Sequence, residues 1–237
     1  MGKDRTVPDV AAIVPAAGSG RRLGGRVRKP FVRLAGVPIL IHSLRALQAS
    51  PDIRWIQPVV APGDQRRVAR LLARYRITKA LPPCAGGRSR AESVANGFAA
   101  LPSAVRWVLV HDAARPCTSR AVISRVLRQA RRFGAAACGV PAGVTVKSAD
   151  RQGRVTETLD RERLWLIQTP QAFRADWFAK ALARHRRLDR FPDDAAVVEA
   201  AGYPVRLVPG EPLNVKITTP DDLLLAAVIL RRRNGSP

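Results

Sequence analysis

Residues 10–23 read VAAIVPAAGSGRRL. Ala11 to Pro15 (AAIVP) is a short unbroken apolar run, the pattern of a strand buried on both faces. The turn behind it consists of small residues. Ala16, Ala17, Gly18 and Gly20 let a ligand approach the main chain, and successive N–H groups there can cradle phosphate oxygens or read the edge of a base. Arg21 and Arg22 add two cations at the same place. Two other phosphate-binding turns are excluded by spelling. A GxGxxG fingerprint needs glycine where Leu23 stands, and a P-loop needs Gly-Lys-Ser/Thr. Taken alone, the turn reads equally well as a tight strand-to-helix connection.

Outward from this segment, short apolar runs alternate with helical periodicity. The predicted helices are 39–49, 65–75, 89–101, 121–133, 175–188 and 194–201. The predicted strands between them are 55–61, 77–81, 107–111, 135–140, 164–167 and 205–208. Strand and helix in turn imply a single α/β domain over 1–237, with a mainly parallel, Rossmann-like sheet covered by helices on both faces. Residues 144–158 (VTVKSADRQGRVTET) break the pattern by alternating apolar and polar positions around an Asp-Arg-Gln-Gly turn, which predicts a protruding β-hairpin arm over about 143–160. So polar a hairpin is marginal alone and calls for a surface to pack on, such as a second subunit. The last helix is expected to start at Thr219-Pro220-Asp221-Asp222, where a Thr N-cap, Pro at the first position and two acids favour initiation. The tail from Arg231 is expected to fray.

Composition narrows the class. With 46% hydrophobic and 25% charged residues over 237 positions, the chain can bury a sizeable core and is no disordered polymer. No apolar run reaches membrane-spanning length, and Asp4, Arg5, Pro8 and Asp9 interrupt the segment a signal peptide would need, so no membrane association and a cytoplasmic location are expected. Cys84, Cys117 and Cys138 are odd in number and without CxxC spacing, and His42, His111 and His185 are scattered. They read as reduced thiols and structural histidines, with no metal cage made only of protein ligands. The net charge of +23 favours anionic partners. A nucleic-acid-binding protein is therefore one candidate, but the basic residues are spread along the chain and no finger, RNP or zipper spacing is present, which argues against a specific nucleic-acid partner. Only six of the 41 cations are lysines (Lys3, Lys29, Lys79, Lys147, Lys180 and Lys216), so each lysine is a mild pointer to a place that needs a compact ammonium.

Lys29 follows the glycine-rich turn closely, after Arg26 and Arg28. A turn with two arginines and a lysine suits a triphosphate whose charge must be neutralised before attack. GSGRRL, the lysine and VRLAGVPIL resemble the opening of the sugar nucleotidyltransferases. Four further segments, GGRSRAES at 86–93, HDAARPC at 111–117, LDRERLWLIQTPQAF at 159–173 and NVKITTPDDL at 214–223, are similar to the 2-C-methyl-D-erythritol 4-phosphate cytidylyltransferase family of non-mevalonate isoprenoid biosynthesis. The resemblance runs in order over roughly residues 10 to 230.

This resemblance implies transfer of CMP from CTP to 2-C-methyl-D-erythritol 4-phosphate. Arg22 and Lys29 match the pair that stabilises charge on the α-phosphate, and Arg161 and Lys216 match the pair that positions the acceptor phosphate. Ala16, Ala17, Gly87 and Ser93 match positions around the cytosine, with Gly18 and Gly20 in the nucleotide turn. Asp112 matches the position that holds ribose and substrate hydroxyls. Arg115, Thr145 and Thr218 complete the implied acceptor site. The arm corresponds to one exchanged between subunits, which implies a homodimer in which Thr145 and Arg161 serve the neighbour's site. Two positions depart from the family's usual wording. Arg28 precedes Lys29 with Pro30 behind it, and Arg88 stands where an acid is common.

The chemistry fits these residues. A phosphate monoester is already an anion near neutral pH, so its attack on the α-phosphorus needs alignment and charge neutralisation rather than a general base. Mg²⁺ is expected to ride mainly on the CTP phosphates. The nearest rival is a cytidylyltransferase acting on another polyol phosphate, such as ribitol 5-phosphate.

Overall fold

The structure is a computed structural model that describes residues 9–18, 23, 27–185 and 187–233. In chain order its elements are β1 (Val10–Ala16), β2 (Arg33–Leu34), β3 (Val37–Pro38), α1 (Ile39–Gln48), β4 (Ile53–Val60), α2 (Gln65–Arg74), β5 (Cys84–Ala85), α3 (Arg90–Ala99), β6 (Trp107–Val110), α4 (Arg120–Phe133), β7 (Ala135–Pro141), β8 (Val146–Ala149), β9 (Val155–Leu159), β10 (Trp165–Arg174), α5 (Ala175–Arg184), α6 (Asp194–Ala200), β11 (Arg206–Pro209) and α7 (Pro220–Arg233).

Seven strands form the main sheet in the order β11-β7-β10-β6-β1-β4-β5. β1 lies at its centre, parallel to β4 on one side and β6 on the other. Alternate β1 side chains serve different cores. Val10, Ala12, Val14 and Ala16 join Leu40, Leu44, Val68, Leu72, Val122 and Val126 from α1, α2 and α4 on one face. Ala11 and Ile13 join Val94, Phe178, Ala181 and Val198 from α3, α5 and α6 on the other. The period of two in a strand thus explains why the run carries no polar residue. A third cluster seats α7, through Ala226, Ile229 and Leu230, on Leu34, Ile39, Cys117 and Ile217. Among the described residues no helix is long and apolar enough to cross a membrane.

The hairpin arm is present as β8 and β9, paired antiparallel in a two-stranded sheet of their own. Its turn is tied by Asp150, whose Oδ1 accepts from the N–H groups of Gln152 (2.9 Å) and Arg154 (3.0 Å), while Gly153 takes the left-handed conformation at φ +82°.

Four expectations need correction. Residues 77–81 make only an isolated bridge between Ala80 and Ile56. Pro82 and Pro83 lack N–H donors, so the ladder resumes only at β5 against Val59 and Val60. The strand expected at 164–167 continues to Arg174 and runs antiparallel to β6 and β7, because Gln168, Thr169 and Gln171 are buried polar residues with partners. Helix α5 stops at Arg184, and the chain then brings Leu188 and Phe191 back onto the second core. Finally, α7 is helical to Arg233, whose guanidinium binds Cys117 O and Glu211 (3.1 Å), where a tail fraying from Arg231 is expected; residues 234–237 lie outside the described residues.

Candidate active site

Beyond the carboxyl ends of β1, β5 and β6 lies a cleft of about 400 Å³. The chain leaves β1 toward β4 and later crosses back to β6, and such a reversal opens a crevice where α/β sheets bind ligands. Ala16, Ala17, Gly18, Lys29, Gly87, Ser93, Asp112 and Lys216 all line this cleft. Gly20 and Arg22 lie outside the described residues.

The floor is held close by glycine. A Cβ on Gly86 would stand 2.6 Å from Ala17 Cβ, and one on Gly87 would stand 2.4 Å from Glu92 Cβ. Neither position tolerates a side chain without movement. Ser89 caps α3 by accepting from Glu92 N (3.0 Å), and Glu92 Oε2 accepts from Arg88 N (2.8 Å). Ser93 Oγ donates to Ser89 O (2.8 Å) and accepts from Gly87 N (3.1 Å), which fixes the loop facing Ala17.

Lys29 is presented by the 3₁₀ turn Lys29–Phe31, which has Pro30 in its first turn and Phe31 buried. Helix α2 pins this turn from outside. The Arg67 guanidinium lies 3.7 Å from the centre of the Phe31 ring, and Arg28 pairs with Asp64 at 2.8 Å. The departures at Arg28 and Pro30 are thus accommodated by a proline in the turn and an ion pair behind it. Lys29 Nζ donates to Ile217 O at 2.9 Å, and Ile217 N donates to Ala114 O at 2.8 Å. The residue next to Ile217 is Lys216, so one extended segment brings the two lysines to the same cleft.

Lys216 Nζ lies 2.7 Å from Asp112 Oδ2, and Arg90 Nε lies 2.9 Å from Asp112 Oδ1. Burial alone would raise the Asp112 pKa. The charges of Arg90 and Lys216, with a smaller contribution from Arg115, outweigh it and hold the carboxyl far below its usual range. Arg90 also pairs with Asp194 at 2.8 Å. Burial opposes the charge on that guanidinium, and the two carboxylates more than restore it.

His111 is fully buried, and burial pushes its pKa down to about 4, so the ring is neutral. Its Nε2 faces Arg115 O (3.1 Å), which can only accept, so Nε2 carries the proton. Nδ1 then accepts from the Thr169 hydroxyl (3.2 Å), whose oxygen accepts from Asp112 N (3.0 Å). The histidine is structural, as the sequence suggests, and it fixes the main chain of Asp112.

The remaining expected residues lie elsewhere. Arg115 is buried behind the cleft wall, where it donates to Asn214 O (2.7 Å). Thr218 gives its hydroxyl to Asp222 Oδ2 (2.6 Å) at the start of α7. Thr145 and Arg161 are exposed at the base of the arm and do not line the cleft of their own chain. Sequence reasoning missed Arg90, Thr169 and Asp194. Arg90 and Thr169 sit within the quoted motifs without an assigned role, and Asp194 reads only as the start of a helix.

The family model described as IspD, 2-C-methyl-D-erythritol 4-phosphate cytidylyltransferase, matches residues 10–232. The chain is 42% identical over 228 residues to the enzyme of that name from Desulforamulus reducens, covering 95% of this chain and 97% of the relative. It is 44% identical over 229 residues to the one from Pelotomaculum thermopropionicum, with 95% and 96% covered. Among solved structures, the 2-C-methyl-D-erythritol 4-phosphate cytidylyltransferase of Thermus thermophilus superposes with a TM-score of 0.76 at 35% identity, covering 94% of this chain and 99% of that one. The 4-diphosphocytidyl-2C-methyl-D-erythritol synthase of Anaerococcus prevotii gives 0.82 at 28% identity, with 94% and 96% covered. A match of this extent, on a chain whose glycine-walled cleft gathers both expected lysines, places the protein in the 2-C-methyl-D-erythritol 4-phosphate cytidylyltransferase family.

Proposed function

We propose that this chain transfers the cytidylyl group of CTP to 2-C-methyl-D-erythritol 4-phosphate, giving 4-diphosphocytidyl-2-C-methyl-D-erythritol and pyrophosphate in non-mevalonate isoprenoid precursor biosynthesis. An oxygen of the acceptor phosphate attacks the α-phosphorus of CTP. The bond from that phosphorus to the bridging oxygen of the β-phosphate breaks, and pyrophosphate leaves with the electron pair. The observation that carries this reading is the convergence of Lys29 and Lys216 on one cleft whose walls are Ala16, Ala17, Gly18 and Gly87. Small residues admit the base and ribose to the main chain, and the ammonium groups offset charge that accumulates as two anions meet.

In this reading Lys29, with Arg22, acts on the α-phosphate, and Lys216 meets the acceptor phosphate. Ser93 and the main chain around Gly87 face the cytosine, and Asp112 orients hydroxyls while holding Lys216. Mg²⁺ fits as a passenger of the triphosphate. Among the described residues no group of three or more His, Cys, Asp or Glu could hold a metal ion, and both Asp112 oxygens are already taken, so phosphate oxygens and water would supply its ligands. When bound it neutralises charge on the leaving pyrophosphate.

We further propose a homodimer joined through the β8–β9 arm. Thr145 and Arg161 are then delivered, with the arm, to the cleft of the second copy. The exposure of Val144 (73%), Val155 (58%) and Leu166 (57%) at and beside the arm supports a covering partner there.

Lys29→Ala and Arg22→Ala test the assignment. Each is expected to melt like the wild type and to lose about 100- to 1000-fold in kcat, the usual cost of removing one preorganised charge-stabilising group. Wild-type turnover in both would refute it.

A further inference from the structure

Asp194 is a carboxylate for which the proposed reaction has no direct use. It opens α6 with 2% of its surface exposed, and its Oδ2 accepts from Arg90 Nη2 at 2.8 Å. Arg90 opens α3 and itself lines the cleft, and its Nε donates to Asp112 Oδ1 at 2.9 Å. One planar guanidinium therefore joins two carboxylates from distant parts of the chain. Asp112 spends its second oxygen on Lys216 Nζ at 2.7 Å.

Stability is a poor reason for this arrangement. Desolvating each buried ion costs several kcal/mol, which the pairing seldom returns in full, and apolar residues of similar volume often fill such a site as well. What the arrangement does supply is fixed geometry, because both outer members are held from β10. Thr169 Oγ1 accepts from Asp112 N at 3.0 Å. Gln171 donates through Nε2 to Asp193 Oδ2 and accepts through Oε1 from Ala195 N, both at 2.9 Å, so the residues on either side of Asp194 are tied down. The guanidinium fork has its prongs at a set angle and cannot satisfy both carboxylates in any other pose.

We propose that Arg90 and Asp194 are positioning residues for the transfer: Asp194 fixes the Arg90 fork, Arg90 fixes the Asp112 carboxylate, and Asp112 fixes the ammonium of Lys216. Without the Asp194 charge, the fork turns both prongs onto Asp112 and draws it from Lys216. A displacement of the order of an ångström at a reacting group costs about 10²-fold in rate. The inference rests on the proposed role of Lys216.

The test compares wild type, Asp194→Asn, Arg90→Ala and the double variant in CTP- and acceptor-dependent pyrophosphate release, with thermal melting alongside. Asp194→Asn replaces a carboxylate by an amide of the same shape and is expected to fold. Its kcat should fall about 10- to 100-fold, while KM for CTP changes less than kcat. Arg90→Ala should lose at least as much and regain part of it when free guanidinium is added at millimolar concentration, whereas Lys216→Ala should gain nothing from the same addition. Adding Asp194→Asn to Arg90→Ala should cost no further activity, because Asp194 acts only through that arginine. Full wild-type kcat in Asp194→Asn overturns the proposal, as does a folded Arg90→Ala that guanidinium leaves unchanged. Should Arg90→Ala not fold, the kcat of Asp194→Asn decides alone. A wild type that releases no pyrophosphate instead overturns the functional reading and the relay with it.

Discussion

Gly97 shows how tightly this protein is assembled where α3 crosses the sheet. A Cβ there would stand 2.6 Å from Val59 Cγ2 and 2.7 Å from Ile13 Cγ2, two methyls on stiff β-branched side chains. Overpacking of this kind costs about 1–3 kcal/mol, against roughly 1 kcal/mol gained in helix propensity. Gly97→Ala should therefore lower the unfolding free energy in urea by up to about 2 kcal/mol with kcat unchanged; an increase in stability would show that the helix has room. Side chains with a motif around them were legible in the same way. Lys29, Gly87, Ser93, Asp112 and Lys216 lie in distinctive segments, and the structure gathers all five at one cleft. Arg90 and Asp194 were not legible, because each draws its meaning from a partner that only the fold supplies. Local spelling shows that Asp194 suits a helix start and says nothing of an arginine from another helix.

Strands and helices with an unbroken period, such as β1, α1 and α4, fall within a residue or two of their expected bounds. The failures have a common cause, which is that burial and polarity part company. In β10 the polar stretch Gln168–Gln171 hides a strand, since its side chains are buried on specific partners. At 77–81 the mixed stretch ITKAL makes only one bridge before the two prolines behind it interrupt the ladder. The arm was legible from its alternation and turn, but the purpose proposed for it depends on a second copy. Mixing subunits tests that purpose. Lys29→Ala and Arg161→Ala should each be nearly inactive, and co-refolding the two should restore activity well above either parent. In a mixed dimer one cleft then keeps its own Lys29 and receives an intact arm. Activity no higher than the sum of the two parents would show that the arm serves no neighbouring site.

Over the whole chain, 41 basic against 18 acidic side chains leave a net charge of +23, and the substrates proposed are both anions. Such a field raises the local concentration of anions and speeds their encounter, and salt screens it with a Debye length of about 8 Å at physiological ionic strength. kcat/KM for CTP should accordingly fall about tenfold or more between low and high salt, with the melting temperature changing little; a flat salt profile would mean that the surface charge plays no part in capture. The proposed reaction joins one nucleotide, CTP, to one acceptor, 2-C-methyl-D-erythritol 4-phosphate. Pyrophosphate release by the purified wild type, measured with CTP, UTP, ATP and GTP against 2-C-methyl-D-erythritol 4-phosphate, ribitol 5-phosphate and other polyol phosphates, tests it directly. The expected result is turnover with CTP and 2-C-methyl-D-erythritol 4-phosphate far above every other pairing. Equal or greater turnover with ribitol 5-phosphate, or none with any pairing, would overturn the proposed function.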